Sequence, residues 1–331
     1  MGVSIIINMD QYMKRGAIFM SSFRDYSFLS SNGKTSIHVR RCTPEGEIRG
    51  IVQIAHGIAE HVERYDGFAR FLADNGFLVV ANDHLGHGQS ITGEADLGFI
   101  AESGGWDLIV GDMHQLYAST HEEYPALPYF LFGHSMGSFL ARTYLIRYPG
   151  ELTGAIICGT GQQGALIVAG GKLMGSMECR KNGPRYHSEK LNALAFGSYN
   201  KGFDVHRTDY DWLTRDEAIV DAYIADPLCG FIPSAGLFTD MMGGLQFIGK
   251  KQNAAKMRKD LPVFFIAGDK DPVGENGKGV RRVYEMFRSL GMKDVSIKLY
   301  PGCRHEILNE LNKDEVMADV LAWLQSKLTK A

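Results

Sequence analysis

The chain has 331 residues, 45% of them apolar and 22% charged, with a net charge of −3 at pH 7 when histidine is counted neutral. This is the make-up of a globular protein, and its slight acidity, without a Lys/Arg-rich stripe, argues against nucleic acid as a partner. No apolar run approaches the ~20 residues that a bilayer span requires, and the five cysteines (Cys42, Cys158, Cys179, Cys229, Cys303) show no paired spacing, so they read as reduced thiols of a cytoplasmic protein.

Residues 1–23 read as an extension ahead of the fold. The apolar stretch Val3-Ser4-Ile5-Ile6-Ile7 is short, lacks a basic flank and has no cleavage site after it, so it does not read as a signal peptide. Gly2 would suit myristoylation, but Ile6 stands where that signal needs Ser or Thr. Segments 24–30 and 35–42 flank Asn32-Gly33 and predict a β-hairpin with a tight turn. The rhythm then changes. Runs at 51–55, 77–81, 129–132, 153–158 and 263–267 are apolar without polar alternation, as expected of strands buried on both faces, and 295–300 adds another. Helix-period segments lie between them, at about 61–75, 105–123, 137–148, 277–290 and 312–328. Such alternation predicts an α/β protein with a mostly parallel central sheet and helices on both faces. Ligands of such sheets bind beyond the carboxyl ends of the strands. Residues 160–255 break the pattern and are too many for a loop. They read as a helical cap, or lid, inserted between two parts of one core, 24–159 and 256–331.

The chemistry centres on Gly133-His134-Ser135-Met136-Gly137, between an expected strand and an expected helix. In that setting G-x-S-x-G is a sharp turn that exposes its serine at the sheet edge, and Ser135 becomes the candidate nucleophile. In a chance match Ser135 would only cap a helix. A serine hydroxyl needs a base, and the base needs an orienting acid, which follow in the order acid, histidine on this architecture. After strand 263–267 comes Gly268-Asp269-Lys270-Asp271-Pro272-Val273, and after 295–300 comes Pro301-Gly302-Cys303-Arg304-His305-Glu306. His305 is the candidate base, and both Asp269 and Asp271 stand as candidate acids. The backbone N–H of Met136 and one from Ala55-His56-Gly57-Ile58 would receive the oxyanion. His56, His61, His84, His87 and His134 do not fall into a zinc-ligand spacing, so no metal or cofactor is expected.

Five motifs together resemble the monoglyceride lipase and lysophospholipase branch of the α/β-hydrolases. They are His56-Gly57-Ile58-Ala59-Glu60-His61-Val62-Glu63-Arg64-Tyr65, Asp83-His84-Leu85-Gly86-His87-Gly88-Gln89-Ser90, the Gly133–Gly137 turn, 268–273 and 301–306. The resemblance covers roughly residues 24–328. It implies the α/β-hydrolase fold, with Ser135 as nucleophile, His305 as base and Asp271, the aspartate just before Pro272, as acid. It places the oxyanion donors on Ile58 and Met136 and leaves Asp269 a structural role. It makes the insertion a cap that forms an acyl tunnel, and implies that Ile58, bulkier than usual there, narrows the pocket. Glu60 and Arg64 would hold the oxyanion loop, and the motif histidines would order loops around the site.

The expected function is therefore that of a serine carboxylester hydrolase cleaving single-chain lipid esters, monoacylglycerol or lysophospholipid, through an acyl-enzyme. The cap stretch 165–177 would either pack on the core or line the acyl pocket and touch lipid aggregates or a membrane surface, with Met174 and Met177 as a pliable wall. The alternatives are a peptidase or amidase on the same scaffold and a non-catalytic binding protein of the same fold.

Overall fold

In the computed structural model, which describes residues 21–203 and 206–328, the apolar runs assemble into an eight-stranded sheet. The strands are β1 (Ser22–Leu29), β2 (Ser36–Thr43), β3 (Gly50–Ala55), β4 (Phe77–Asn82), β5 (Tyr129–His134), β6 (Gly154–Cys158), β7 (Val263–Gly268) and β8 (Val295–Tyr300). Their order is β1-β2-β4-β3-β5-β6-β7-β8. The hairpin strands β1 and β2 run antiparallel to each other, and β2 antiparallel to β4, while all other pairs are parallel. The α/β-hydrolase arrangement read from the sequence is thus present. Every residue of β3 to β7 is buried, which is why their sequences lack polar alternation.

The main helices are α1 (Asp66–Asp74), α2 (Gly105–Glu123), α3 (Met136–Arg147), α4 (Ala165–Asn182), α5 (Glu189–Phe196), α6 (Glu217–Ala225), α7 (Ala235–Gly249), α8 (Lys278–Ser289) and α9 (Lys313–Leu328). Successive strand residues point to opposite faces. Phe130, Phe132, Ile156 and Phe264 therefore pack with α1 and α9, while Leu131, Ala155, Ile157 and Phe265 pack with α2, α3 and α8. Helix α8 shows the pattern that makes this work: Val280, Val283 and Phe287 are buried on one face while Arg281, Arg282, Glu285 and Arg288 face outward or lie at its edge.

The hairpin connection is the four-residue loop 31–34 expected between its flanking segments, closed by Ser30 N–H donating to Thr35 C=O at 2.8 Å. The Asn32 side-chain oxygen holds it by accepting the N–H groups of both Lys34 and Thr35. Other expectations are corrected in detail. The helix expected at 61–75 begins as a separate 3-10 turn, Val62–Tyr65, before α1. Of the extension expected at 1–23, residues 1–20 lie outside the described residues, and Ser22 and Phe23 already belong to β1. Residues 160–255 hold α4 to α7, but α7 does not stand apart. Its Leu237, Met241, Leu245 and Ile248 join the core beside α2 and α3.

Candidate active site

The turn at Ser135 is fixed by backbone contacts. Ser135 has φ 54° and ψ −121°, a region that costs a residue with a β-carbon ~1–3 kcal/mol. Its N–H donates to Cys158 C=O at 3.0 Å, and its own C=O accepts Ser138 N–H at 2.8 Å and Ser138 Oγ at 2.6 Å. The flanking glycines are a steric necessity: a β-carbon on Gly137 would strike the Ala55 and His56 carbonyls, and one on Gly133 would strike Gly137 C=O. The serine is thereby pressed against the carboxyl end of β3, where Gly57 and Ile58 follow.

His305, on the loop after β8, and Asp271, on the loop after β7, are both buried. The His305 Nδ1 to Asp271 Oδ1 distance is 3.0 Å. The carboxylate can only accept, so Nδ1 carries the proton and Nε2 is left as a base. Asp271 Oδ1 also accepts Val273 N–H at 2.9 Å. Asp269 does something else: its carboxylate accepts Gly302 N–H at 2.8 Å and ties the loop after β7 to the loop carrying His305. Of the two aspartates, then, Asp271 meets His305. Ser135 and His305 line the same cavity.

The loop after β3 rests on a buried charge network. Glu60 Oε1 accepts Gly57 N–H at 2.5 Å and Tyr65 Oη–H at 2.9 Å, and Glu60 Oε2 accepts Arg64 Nη1–H at 2.7 Å. Arg64 donates two further bonds to Glu306, both at 2.6 Å. His134 Nδ1 lies 3.3 Å from Glu60 Oε1. Burial alone would raise the Glu60 carboxyl, but the hydrogen bond from His134 and the charge of Arg64 outweigh it and hold Glu60 well below the usual carboxylate range. Glu306 is also lowered, burial being outweighed by Arg64. His134 is raised, burial being outweighed by its bond to Glu60. The sequence-based role of Glu60 and Arg64 in holding this loop fits these contacts.

The network makes a stability prediction. Arg64→Met leaves two buried carboxylates without their cation and should destabilise the fold by about 3–5 kcal/mol, measured by denaturant unfolding at pH 7. The lowered carboxyls stabilise the wild type above their unfolded-state pKa, and that contribution is lost as pH falls through their folded values. His134, being raised, contributes below its unfolded-state pKa and loses its share as pH rises through the folded one. Acidification should therefore narrow the gap between wild type and variant.

Two chambers meet at Ser135. One, of about 450 Å³, is walled by Ile167, Met174, Phe238, Met241 and Leu245. The other, of about 760 Å³, is lined by polar groups including Asn192, Asn200, Thr208, Tyr210 and Tyr223. Ile58, Phe196 and Trp212 border both. Ile58 is half-buried at that junction. Met174 is in the apolar wall, but Met177 is not: it is 59% exposed, one turn further along the outer side of α4.

The motif histidines mostly serve the loops. The rings of His84 and His87 lie tilted against that of His56, with centroids 4.1 and 5.3 Å from it, and His84 N–H donates to His56 Nε2 at 2.9 Å. Burial keeps all three neutral, pushing His87 down to about 3. Among the described residues, His61, Asp226 and Cys229 have metal-ligand chemistry and ligand atoms within 4.8 Å of one another. There His61 Nε2 is 2.8 Å from Asp226 Oδ2, a bond that latches the loop after β3 to the inserted segment. No motif marks Trp212, whose ring centroid lies 5.1 Å from that of His305, or Tyr223. Both belong to the insertion, far along the chain and without a motif.

A family model described as Hydrolase_4, serine aminopeptidase, S33, matches residues 46–312. The monoacylglycerol lipase of Mycolicibacterium smegmatis is 30% identical over 93% of this chain and 100% of its own length. The monoglyceride lipase of Rattus norvegicus is 26% identical over 93% of each protein. Among solved structures, a highly thermostable carboxyl esterase from Bacillus coagulans, in complex with glycerol, superposes with a TM-score of 0.86 at 31% identity, covering 93% of this chain and 100% of that one. The monoglyceride lipase of Saccharomyces cerevisiae, at 20% identity and a TM-score of 0.73 over 95% of this chain and 97% of that one, shares the fold.

Proposed function

The chain belongs to the α/β-hydrolase family Hydrolase_4 (serine aminopeptidase, S33), and on that premise we propose that it cleaves single-chain lipid esters, monoacylglycerols or lysophospholipids, through an acyl-enzyme. Its kinship with monoacylglycerol lipases and a carboxyl esterase makes it a carboxylic ester hydrolase. The observation that carries the substrate class is the junction of an apolar and a polar chamber at Ser135, beside the His305–Asp271 pair. An ester of one acyl chain and one polar alcohol fills such a site with its carbonyl at the junction.

In this reading Ser135 Oγ attacks the carbonyl carbon while His305 Nε2 takes the hydroxyl proton. Asp271 stabilises the resulting imidazolium, and the N–H groups of Ile58 and Met136 donate to the oxyanion. As the carbon–oxygen bond to the alcohol breaks, His305 returns its proton to the departing oxygen. A water molecule then gives its proton to His305 and its oxygen to the acyl carbon, and Ser135 is regenerated with release of the fatty acid. Helices α4 to α6 of the inserted segment act as the cap over this reaction. Leu166, Ile167 and Leu173 on α4 are 90%, 67% and 62% exposed, and the first two also line the apolar chamber. That rim suits contact with lipid aggregates or a membrane surface from which a chain is drawn. No helix of the described residues is long and apolar enough to cross a membrane.

The peptidase alternative needs carboxylates free to grip an amino terminus. Among the described residues Glu60, Glu306 and Asp209 border the polar chamber; Arg64 engages both glutamates, which leaves Asp209 as the single carboxylate for that role. A side-by-side assay of monoacylglycerols, lysophosphatidylcholines and aminoacyl-naphthylamides tests the reading. Turnover of the amides above that of the lipid esters overturns it, as does failure of a fluorophosphonate to label Ser135. The acyl assignment makes a separate prediction. Met174→Trp should lower kcat/KM for a long-chain p-nitrophenyl ester by about tenfold or more and leave the butyrate ester within about twofold, because added bulk is felt only where the chamber is filled.

A further inference from the structure

The inserted segment reaches both catalytic loops through hydrogen bonds to their backbone. Trp212 C=O accepts His305 N–H at 3.3 Å, and Leu213 C=O accepts Glu306 N–H at 2.7 Å. On the other side of the site, Tyr223 Oη donates to Ala59 C=O at 2.8 Å, and Gly230 N–H donates to the same oxygen at 3.0 Å. Ala59 has φ 55°, a left-handed conformation that a residue with a β-carbon holds only when its surroundings fix it.

Ile58, whose N–H is the oxyanion donor in the reading above, directly precedes Ala59. The residue before it, Gly57, has its N–H fixed by Glu60 at 2.5 Å. The Ile58 peptide therefore lies between two anchors, a carboxylate from the core on one side and the Tyr223 and Gly230 donors from the insertion on the other. Tyr223 is itself well fixed: it is buried in α6, and the Arg64 guanidinium lies 4.8 Å from its ring centroid. Burial, the largest influence, pushes its phenol well above the ordinary value, so it stays a donor throughout the working pH range.

We propose that Tyr223 is a positioning residue for the oxyanion hole: its hydroxyl, acting through the Ala59 carbonyl, keeps the Ile58 N–H aimed at the developing charge and couples the cap to the chemical step. This rests on Ser135 being the nucleophile and Ile58 an oxyanion donor. The bond from Ile58 strengthens only when the carbonyl oxygen becomes charged, so misaiming it lowers kcat and leaves ground-state binding alone. A tyrosine that merely touched the substrate's alcohol portion would act on KM instead.

The test compares wild type, Tyr223→Phe and the double variant Ala59→Gly/Tyr223→Phe, using a p-nitrophenyl acyl ester and a p-nitrophenyl alkylphosphonate. Tyr223→Phe should lower kcat about tenfold, the worth of one such hydrogen bond, with KM within about twofold and an unchanged pH profile. Its phosphonylation rate should fall by the same factor, since the phosphoryl oxygen uses the same donors. The double variant should recover much of the lost kcat, because glycine enters the left-handed region without help. A Tyr223→Phe enzyme with kcat within twofold of wild type overturns the proposal. So does a loss confined to KM, or a double variant no faster than the single one. A wild-type protein that the phosphonate leaves unmodified sinks the serine-hydrolase reading itself, whereas equal modification of wild type and Tyr223→Phe sinks only the clamp.

Discussion

Replacing Ser135 by alanine should lower kcat for a p-nitrophenyl acyl ester by on the order of 10⁶-fold and abolish labelling by a fluorophosphonate, while the protein keeps its fold. The size follows from the chemistry: without Oγ no acyl-enzyme forms, and losing the nucleophile of a serine hydrolase costs about as much as losing the whole triad. Retention of the fold follows from how the turn is held. Its strained backbone depends on the bonds of Ser135 N–H to Cys158 and of Ser135 C=O to Ser138, none of which uses the side chain that is removed. Both chambers persist, so binding of a fatty acid, read by titration calorimetry, should be unchanged. A Ser135→Ala protein that still turns over esters at more than a hundredth of the wild-type rate would refute the assignment.

Asp271→Asn should lower kcat by about 10⁴-fold, whereas Asp269→Asn should cost less than about tenfold. The orienting acid accepts from His305 Nδ1 and stabilises the imidazolium. An amide in its place leaves the geometry near native but favours the wrong tautomer, which is the origin of the large loss. Asp269 instead accepts one backbone N–H, from Gly302. The amide oxygen of asparagine can accept the same bond, so the loop after β8 keeps its tie. Circular dichroism melts of the two variants should be similar, which would separate loss of chemistry from loss of fold. A greater fall in kcat for Asp269→Asn than for Asp271→Asn would reverse the assignment of the acid.

How much of this could be read from the chain depends on the range over which each feature is determined. Strands β3 to β7 were legible because burial on both faces forces uninterrupted apolar runs, a local property. Ser135 was legible because its strained turn needs two glycines at fixed offsets, so sterics write the motif into five residues. His305 and Asp271 could be placed at one sheet edge from their positions after strands, but residue types alone left Asp269 open. In the folded chain Asp271 meets His305 while Asp269 meets Gly302, a difference that residue types do not carry. Trp212 and Tyr223 were not legible. Their partners, His305 and Ala59, lie 93 and 164 positions away, and such pairings leave no period behind. The same holds for α7, read as part of a separate cap. Its face carrying Leu237, Met241 and Leu245 completes the core under α2 and α3, which only assembly of the whole molecule shows. Met177 failed for a subtler reason: an apolar residue in a helix near a lipid site can face water or membrane as readily as the cavity.

Under the proposed acyl-enzyme chemistry, the unlike compartments on either side of Ser135 would give the two products separate doorways. In the proposed cycle the freed alcohol drains through the wet antechamber while the chain stays threaded in its greasy sleeve, still esterified. The room it vacates is what the next nucleophile enters. In that cycle any small alcohol dissolved in the antechamber would compete with water for the acyl group.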